Sequence, residues 1–213
     1  MAISKANFNS FNVTPSASKF LTFNSDNNGL AADDVGGNLN LISTSTASNS
    51  SSLSFTSGID STYKEYIFKF INCHPATDGQ PFTVNFRDGS SAFDATKTTT
   101  VFESYHNEND SATNLGYRTD NDIAQGTGYQ SLAHSVGADA DQSVSGTMHL
   151  FDPSNTTFVK HFLATTFNAH SSDIAYEQFT AGYCNVTAAI DGVDFKFASG
   201  NIDSGVIKLY GVN

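Results

Sequence analysis

Tryptophan is absent from this 213-residue chain, and proline (4), cysteine (2) and methionine (2) are scarce. Lys and Arg together number 10 against 21 Asp and Glu, which leaves a net charge of −11. Affinity for nucleic acid comes largely from Lys and Arg set against phosphates, so an acidic chain with scattered basic residues is a poor nucleic-acid binder. The same charge discourages contact with anionic membranes and favours solubility. No stretch approaches the ~18 consecutive apolar residues of a membrane-spanning helix. Met1–Asn12 has no apolar core of a secretory signal, which predicts a chain that is not exported. Charged residues make up 15%, against about 25% in average soluble proteins. The residues that build most helices are sparse, so a mainly helical protein is disfavoured. The motifs G-x-S-x-G, H-E-x-x-H, C-x-x-C and G-x-x-x-x-G-K-[ST] do not occur, which leaves no recognisable catalytic signature.

What the chain has is aromatic residues and turns. Its 18 Phe and 8 Tyr suit pleated surfaces. Tyr63–Cys73 places Tyr66, Phe68 and Phe70 on one face and Ile67, Ile71 and Cys73 on the other, the pattern of a central strand covered on both sides. Pro75 ends it. Asp78-Gly79 and Asp88-Gly89 read as turns around the alternating strand Phe82–Phe86. Asp152-Pro153-Ser154-Asn155 reads as a type I turn joining Gly146–Phe151 to Thr157–Ala164, the best hairpin of the chain. Tyr176–Cys184, Val193–Phe197 (with Asp194 and Lys196 outward) and Val206–Val212 are further strands, and residues 200–205 are a turn. Residues 106–127 read as a long polar loop with a short strand near Tyr117. Residues 43–54 hold nine Ser or Thr in twelve, and the apolar residues on either side favour strands flanking a polar turn. About ten strands separated by turns predict an all-β fold: an antiparallel β-sandwich, of jelly-roll type, over residues 38–213. Residues 1–37 are read as an irregular N-terminal arm or outer layer. The expected core is Tyr66, Ile67, Phe68, Phe70, Ile71, Phe82, Val84, Leu150, Phe158, Phe162, Phe195, Phe197, Ile207 and Leu209.

Candidate sites are few. His149 and His161 lie on the two arms of the Pro153 hairpin, where cross-strand packing is the expectation and a metal pair the alternative. Asp120-Asn121-Asp122 and Asp139-Ala140-Asp141 offer oxygen ligands of the kind calcium takes, without EF-hand spacing; solvated turns are the expectation. Tyr105, Tyr117 and Tyr129 flank the acidic middle region and could stack on a sugar, with sheet-edge packing the expectation. Cys73 and Cys184 sit in apolar runs, where buried free thiols are the usual outcome and a bridge is the alternative. In the arm, Phe8, Phe11, Phe20 and Phe23 are spaced too irregularly for one amphipathic helix and are too apolar for a purely solvating tail. They are the candidate partner-binding residues.

Several stretches together carry a resemblance: SFNVTPSASKFLTFNS (10–25), SGIDSTYKEYIFKFINCHPATDGQPF (57–82), FDPSNTTFVKHF (151–162) and FKFASGNIDSGVIKLYGV (195–212). They resemble a family of uncharacterised virion structural proteins from tailed bacteriophages of marine bacteria, including cyanophages. The resemblance implies a non-enzymatic particle component that uses no cofactor, and it carries over no catalytic or ligand residue. A capsid decoration or cement protein is the expected role. A tail or fibre-associated protein and a carbohydrate-binding module for host attachment are the alternatives. The expected partners are major capsid or tail proteins and further copies of the same chain, a trimer being one form that suits virion sites.

Overall fold

The computed structural model describes residues 38–213 in full and, before them, the backbone of two strands, β1 (Lys19–Phe23) and β2 (Leu30–Asp34). The chain divides into two compact units, Met1–Asn38 and Leu39–Asn213. In the first, β1 and β2 pair antiparallel, with Phe20 opposite Asp33 and Phe23 opposite Leu30.

The second unit is all-β and antiparallel. Its strands are β3 (Leu39–Ser50), β4 (Leu53–Phe55), β5 (Glu65–Pro75), β6 (Gln80–Arg87), β7 (Lys97–Asn107) and β8 (Thr113–Tyr117). They continue with β9 (Gln130–Val136), β10 (Val144–Phe151), β11 (Lys160–His170), β12 (Ile174–Cys184), β13 (Gly192–Phe197) and β14 (Ile202–Val212). One path of neighbours runs β3-β14-β5-β10-β11-β9-β6-β13-β4. Its two end strands, β3 and β4, are separated in the chain only by Ser51 and Ser52, so the sheet nearly closes into a barrel. From β11 a three-stranded extension, β12-β7-β8, leaves this path. Among the described residues no helix is long and apolar enough to cross a membrane.

The core is aromatic. Phe195 on β13 stands 5.2 Å from Phe68 and 5.1 Å from Phe70 on β5, and also meets Phe55 and Phe82. Edge-on and offset contacts of this kind contribute about 0.5–1.5 kcal/mol per pair beyond area burial. Eleven of the expected core residues are buried; Ile67, Ile71 and Phe158 are not. Asn72 adopts a left-handed backbone (φ 52° is seen at Asn49, 48° here) and bonds Ser145, which makes a bulge in β5. The bulge turns Cys73 onto the inner face with Phe70. Ile67 and Ile71 lie on the outer face that alternation gives them, where Ile71 is 41% exposed. The outer face of β5 is thus only partly covered. Phe158 follows Asn155, whose side-chain carbonyl accepts the Thr157 and Phe158 amides at 2.7 and 2.8 Å. That local turn delays β11 to Lys160 and leaves Phe158 69% exposed.

The Asp152–Asn155 turn is present, closed by the Asn155 amide on the Asp152 carbonyl at 3.0 Å. Gly79 and Gly89 take positive φ in the two Asp-Gly turns, a conformation that suits glycine. Two polar segments read as turns are strands instead. The Ser-rich run lies mostly in β3, paired along β14, and β14 itself begins at Ile202. Asp194 does not face water: it is buried, and accepts hydrogen bonds from Ser54 and from the Tyr129 hydroxyl (2.8 Å). We expect Phe195→Ala to cost about 3–5 kcal/mol in urea unfolding, whereas Phe158→Ala stays within about 0.5 kcal/mol, as exposed substitutions do.

Candidate functional site

Strand β11 alternates strictly, one residue in and one out, from Lys160 to Asn168. Its inner face meets β9. These two strands share one register pair, His170 opposite Val136, because β12 pairs along the whole of β11. Side chains do the rest. Asn168 donates to the His134 carbonyl (3.1 Å), Thr166 to that of Leu132, and Gln178 of β12 to that of Ser131 (2.8 Å). Gln130 adds a second donor to Ser131. All four side chains are buried.

Beyond this seam lies a cluster of ionisable groups. The rings of His134, His170 and Tyr176 stand 5.8 Å apart in all three pairings. Glu103, almost fully buried, accepts from Arg118 at 3.0 and 3.2 Å, and Arg118 also holds Asp120 at 2.7 and 2.8 Å. Burial, followed by the positive Arg118 guanidinium, presses His134 below its ordinary value; burial and then His134 do the same for His170. Among the described residues no three His, Cys, Asp or Glu side chains group closely enough to share a metal ion.

At the other end of the same strands, Lys160, Cys184 and Lys97 are register partners across β11, β12 and β7, and all three are buried. The lysines hold loop carbonyls: Lys160 bonds those of Asn155 (3.2 Å) and Val186 (2.6 Å), and Lys97 that of Gly128 (2.7 Å). Cys73 and Cys184 are free, and burial pushes both thiols up to about 12. The thiolate is the reactive form, so neither is a poised nucleophile. Sequence reasoning missed this row, since register across three strands is invisible in any one of them.

The outer face of β11, β12, β7 and β8 is different in kind. Phe102 stacks on Phe179 (4.6 Å, 9°) and is flanked in register by Tyr117. Leu163, Ala181 and Thr100 form the next row. Because Ala181 is small, a groove of about 350 Å³ opens between Thr98, Thr100, His161, Leu163 and Tyr183, and a second of about 240 Å³ adjoins it beside Phe102 and Phe179.

The residues singled out from sequence are scattered. His149 is opposite Leu163, not His161, and bonds Glu65 at 2.6 Å, while His161 sits beside Tyr183. Tyr105 stacks on Tyr176, Tyr117 bonds Asp122 at 2.6 Å, and Tyr129 is held by Asp194 under the Lys196 ammonium, so no common sugar platform joins them. Asp120 is engaged by Arg118, and Asp139 accepts the Gln142 amide in a turn. Phe8 and Phe11 lie outside the described residues; Phe20 and Phe23 are on β1. Set against known proteins, the chain matches no family model, no curated protein and no solved structure.

The buried row sets an alkaline signature. Burial holds Lys97 down at about 8, whereas an unfolded lysine keeps its proton to 10.5, so stability rises with pH across that window. The thiols act with the opposite sign: their contribution is complete below the ordinary value of 9 and is lost as pH rises toward about 12. We expect urea unfolding free energies to climb between pH 8 and 9 and to fall beyond, with the climb reduced in Lys97→Met and the fall retained. A fall that starts below pH 8 would contradict this assignment.

Proposed function

We propose that this protein is a non-enzymatic structural component of a tailed-phage particle, a decoration or cement protein on the exterior of the capsid. The observation that carries the reading is the resemblance of residues 57–82, 151–162 and 195–212 to virion structural proteins of marine tailed phages. The arrangement of polar groups supports it. The buried lysines hold loop carbonyls, and the amides of β11 and β12 close a strand edge, which are structural tasks. In this reading the nearly closed barrel is flattened into a sandwich of jelly-roll type, with β5, β10 and β14 facing β6, β13 and β4 across the aromatic core. A net charge of −11 keeps such a protein soluble before assembly.

Attachment is assigned to the N-terminal unit. Phe8, Phe11, Phe20 and Phe23 supply apolar side chains, each worth about 1.5–3 kcal/mol when buried against a neighbouring subunit or the shell. On a symmetric lattice many such contacts add through multivalency. Deleting residues 2–35 is expected to leave a folded, soluble body that no longer binds particles. Circular dichroism and cosedimentation with stripped capsids measure both properties. A truncated protein that fails to fold, or that cosediments as the full chain does, would overturn the role of the arm.

A further inference from the structure

We propose that the outer face of β11, β12, β7 and β8 is a self-interface, on which two copies of this chain pack face to face about a two-fold axis. The inference does not rest on the particle reading. It begins with exposure: Phe102 is 44% exposed, Leu115 73%, Tyr117 54%, Leu163 50% and Phe167 55%, and all five project from this one face. With roughly 150–250 Å² for a whole aromatic side chain, they leave on the order of 500 Å² of apolar surface. That is toward the upper end of the roughly 300–600 Å² of the largest apolar patch on a typical monomer, a patch that is often functional. The small and polar residues between them, Thr98, Thr100, Thr165, Ala181 and Ser104, extend the coverable area toward the ~800 Å² per partner of a stable interface.

Charge selects the occupant. The chain carries −11, so two copies repel wherever their acidic surfaces approach. The outward positions of β7, β8, β11 and β12 hold no Lys or Arg and a single carboxylate, Glu177, which the Ser104 hydroxyl contacts at 3.4 Å. This face is therefore where like-charged copies meet at least cost. A basic partner or an anionic membrane finds no matching charge on it.

Shape agrees with a two-fold contact. An isologous interface needs knobs and holes on the same patch. Leu163, Phe102 and Phe167 are the knobs. The adjoining grooves of about 350 and 240 Å³, opened by the small side chain of Ala181, are the holes. Two sheets interdigitating in this way stand ~10 Å apart.

The test is the mass of the full-length protein in solution, by sedimentation velocity across a concentration series up to about 100 µM, a range that populates interfaces of standard size. Twice the chain mass is expected for the wild type. The pair Phe102→Asp and Leu163→Asp should return it to the single-chain mass with an unchanged circular dichroism spectrum. Thr165→Arg, which leaves every apolar side chain in place, should weaken the dimer at least tenfold and serves as a second variant if the first misfolds. A wild type at the single-chain mass throughout, a trimer, or a dimer indifferent to both variants would overturn the proposal.

Discussion

Strand β9 has a full neighbour on one side only. Its other edge is buried against β11 and β12, and carbonyls there must find donors inside the protein. A buried carbonyl left without one costs about 1–3 kcal/mol. Thr166, Asn168 and Gln178 supply the donors across the seam, where a neighbouring strand would have used backbone amides. The consequence reaches far. Because β11 gives its edge to β12 rather than to β9, the sheet also runs outward through β7 and β8, beside the path that nearly closes. The inner face of that extension is polar: its side-chain amides and hydroxyls donate to the carbonyls of β9, while Asn168 Oδ1, Gln178 Oε1 and the Tyr176 hydroxyl find no partner among the described residues. Its outer face is left apolar and charge-poor, and none of the described residues of this unit covers it. The seam and the surface are two results of one pairing choice.

The apolar half of the fold was legible in the sequence. Alternating aromatics in 66–70, 82–86 and 193–197 specify inward faces, and Asp-Gly and Asp-Pro pairs specify turns. What was illegible has physical reasons. Bulges reverse side-chain parity, so Cys73 joined the inner face past Asn72, while Ile71 kept the outer face. An asparagine that binds amides two and three residues ahead competes with strand pairing, which placed Phe158 outside. A strand with one satisfied polar face can be Ser-rich, so β3 looked like a turn. Lys97, Lys160, Glu103 and Asp194 are buried because partners from distant segments meet them, and a single alternating stretch cannot announce such partners.

The candidate residues fared by the same rule. Motifs that need convergence, such as a histidine pair or a tyrosine platform, depend on register, and the register set His149 beside Glu65 and Tyr129 beside Asp194. The convergence that did occur brings His134 of β9 against His170 and Tyr176 of the β11–β12 hairpin. The polar interior ties loops and strand edges together, and the exposed apolar strip offers contact area.

Membership in a particle is the claim from which the functional reading follows, and quantitative mass spectrometry of purified particles tests it directly. The protein should be present in hundreds of copies, a stoichiometry set by the shell lattice. Its absence from particles washed free of lysate would contradict the structural role altogether.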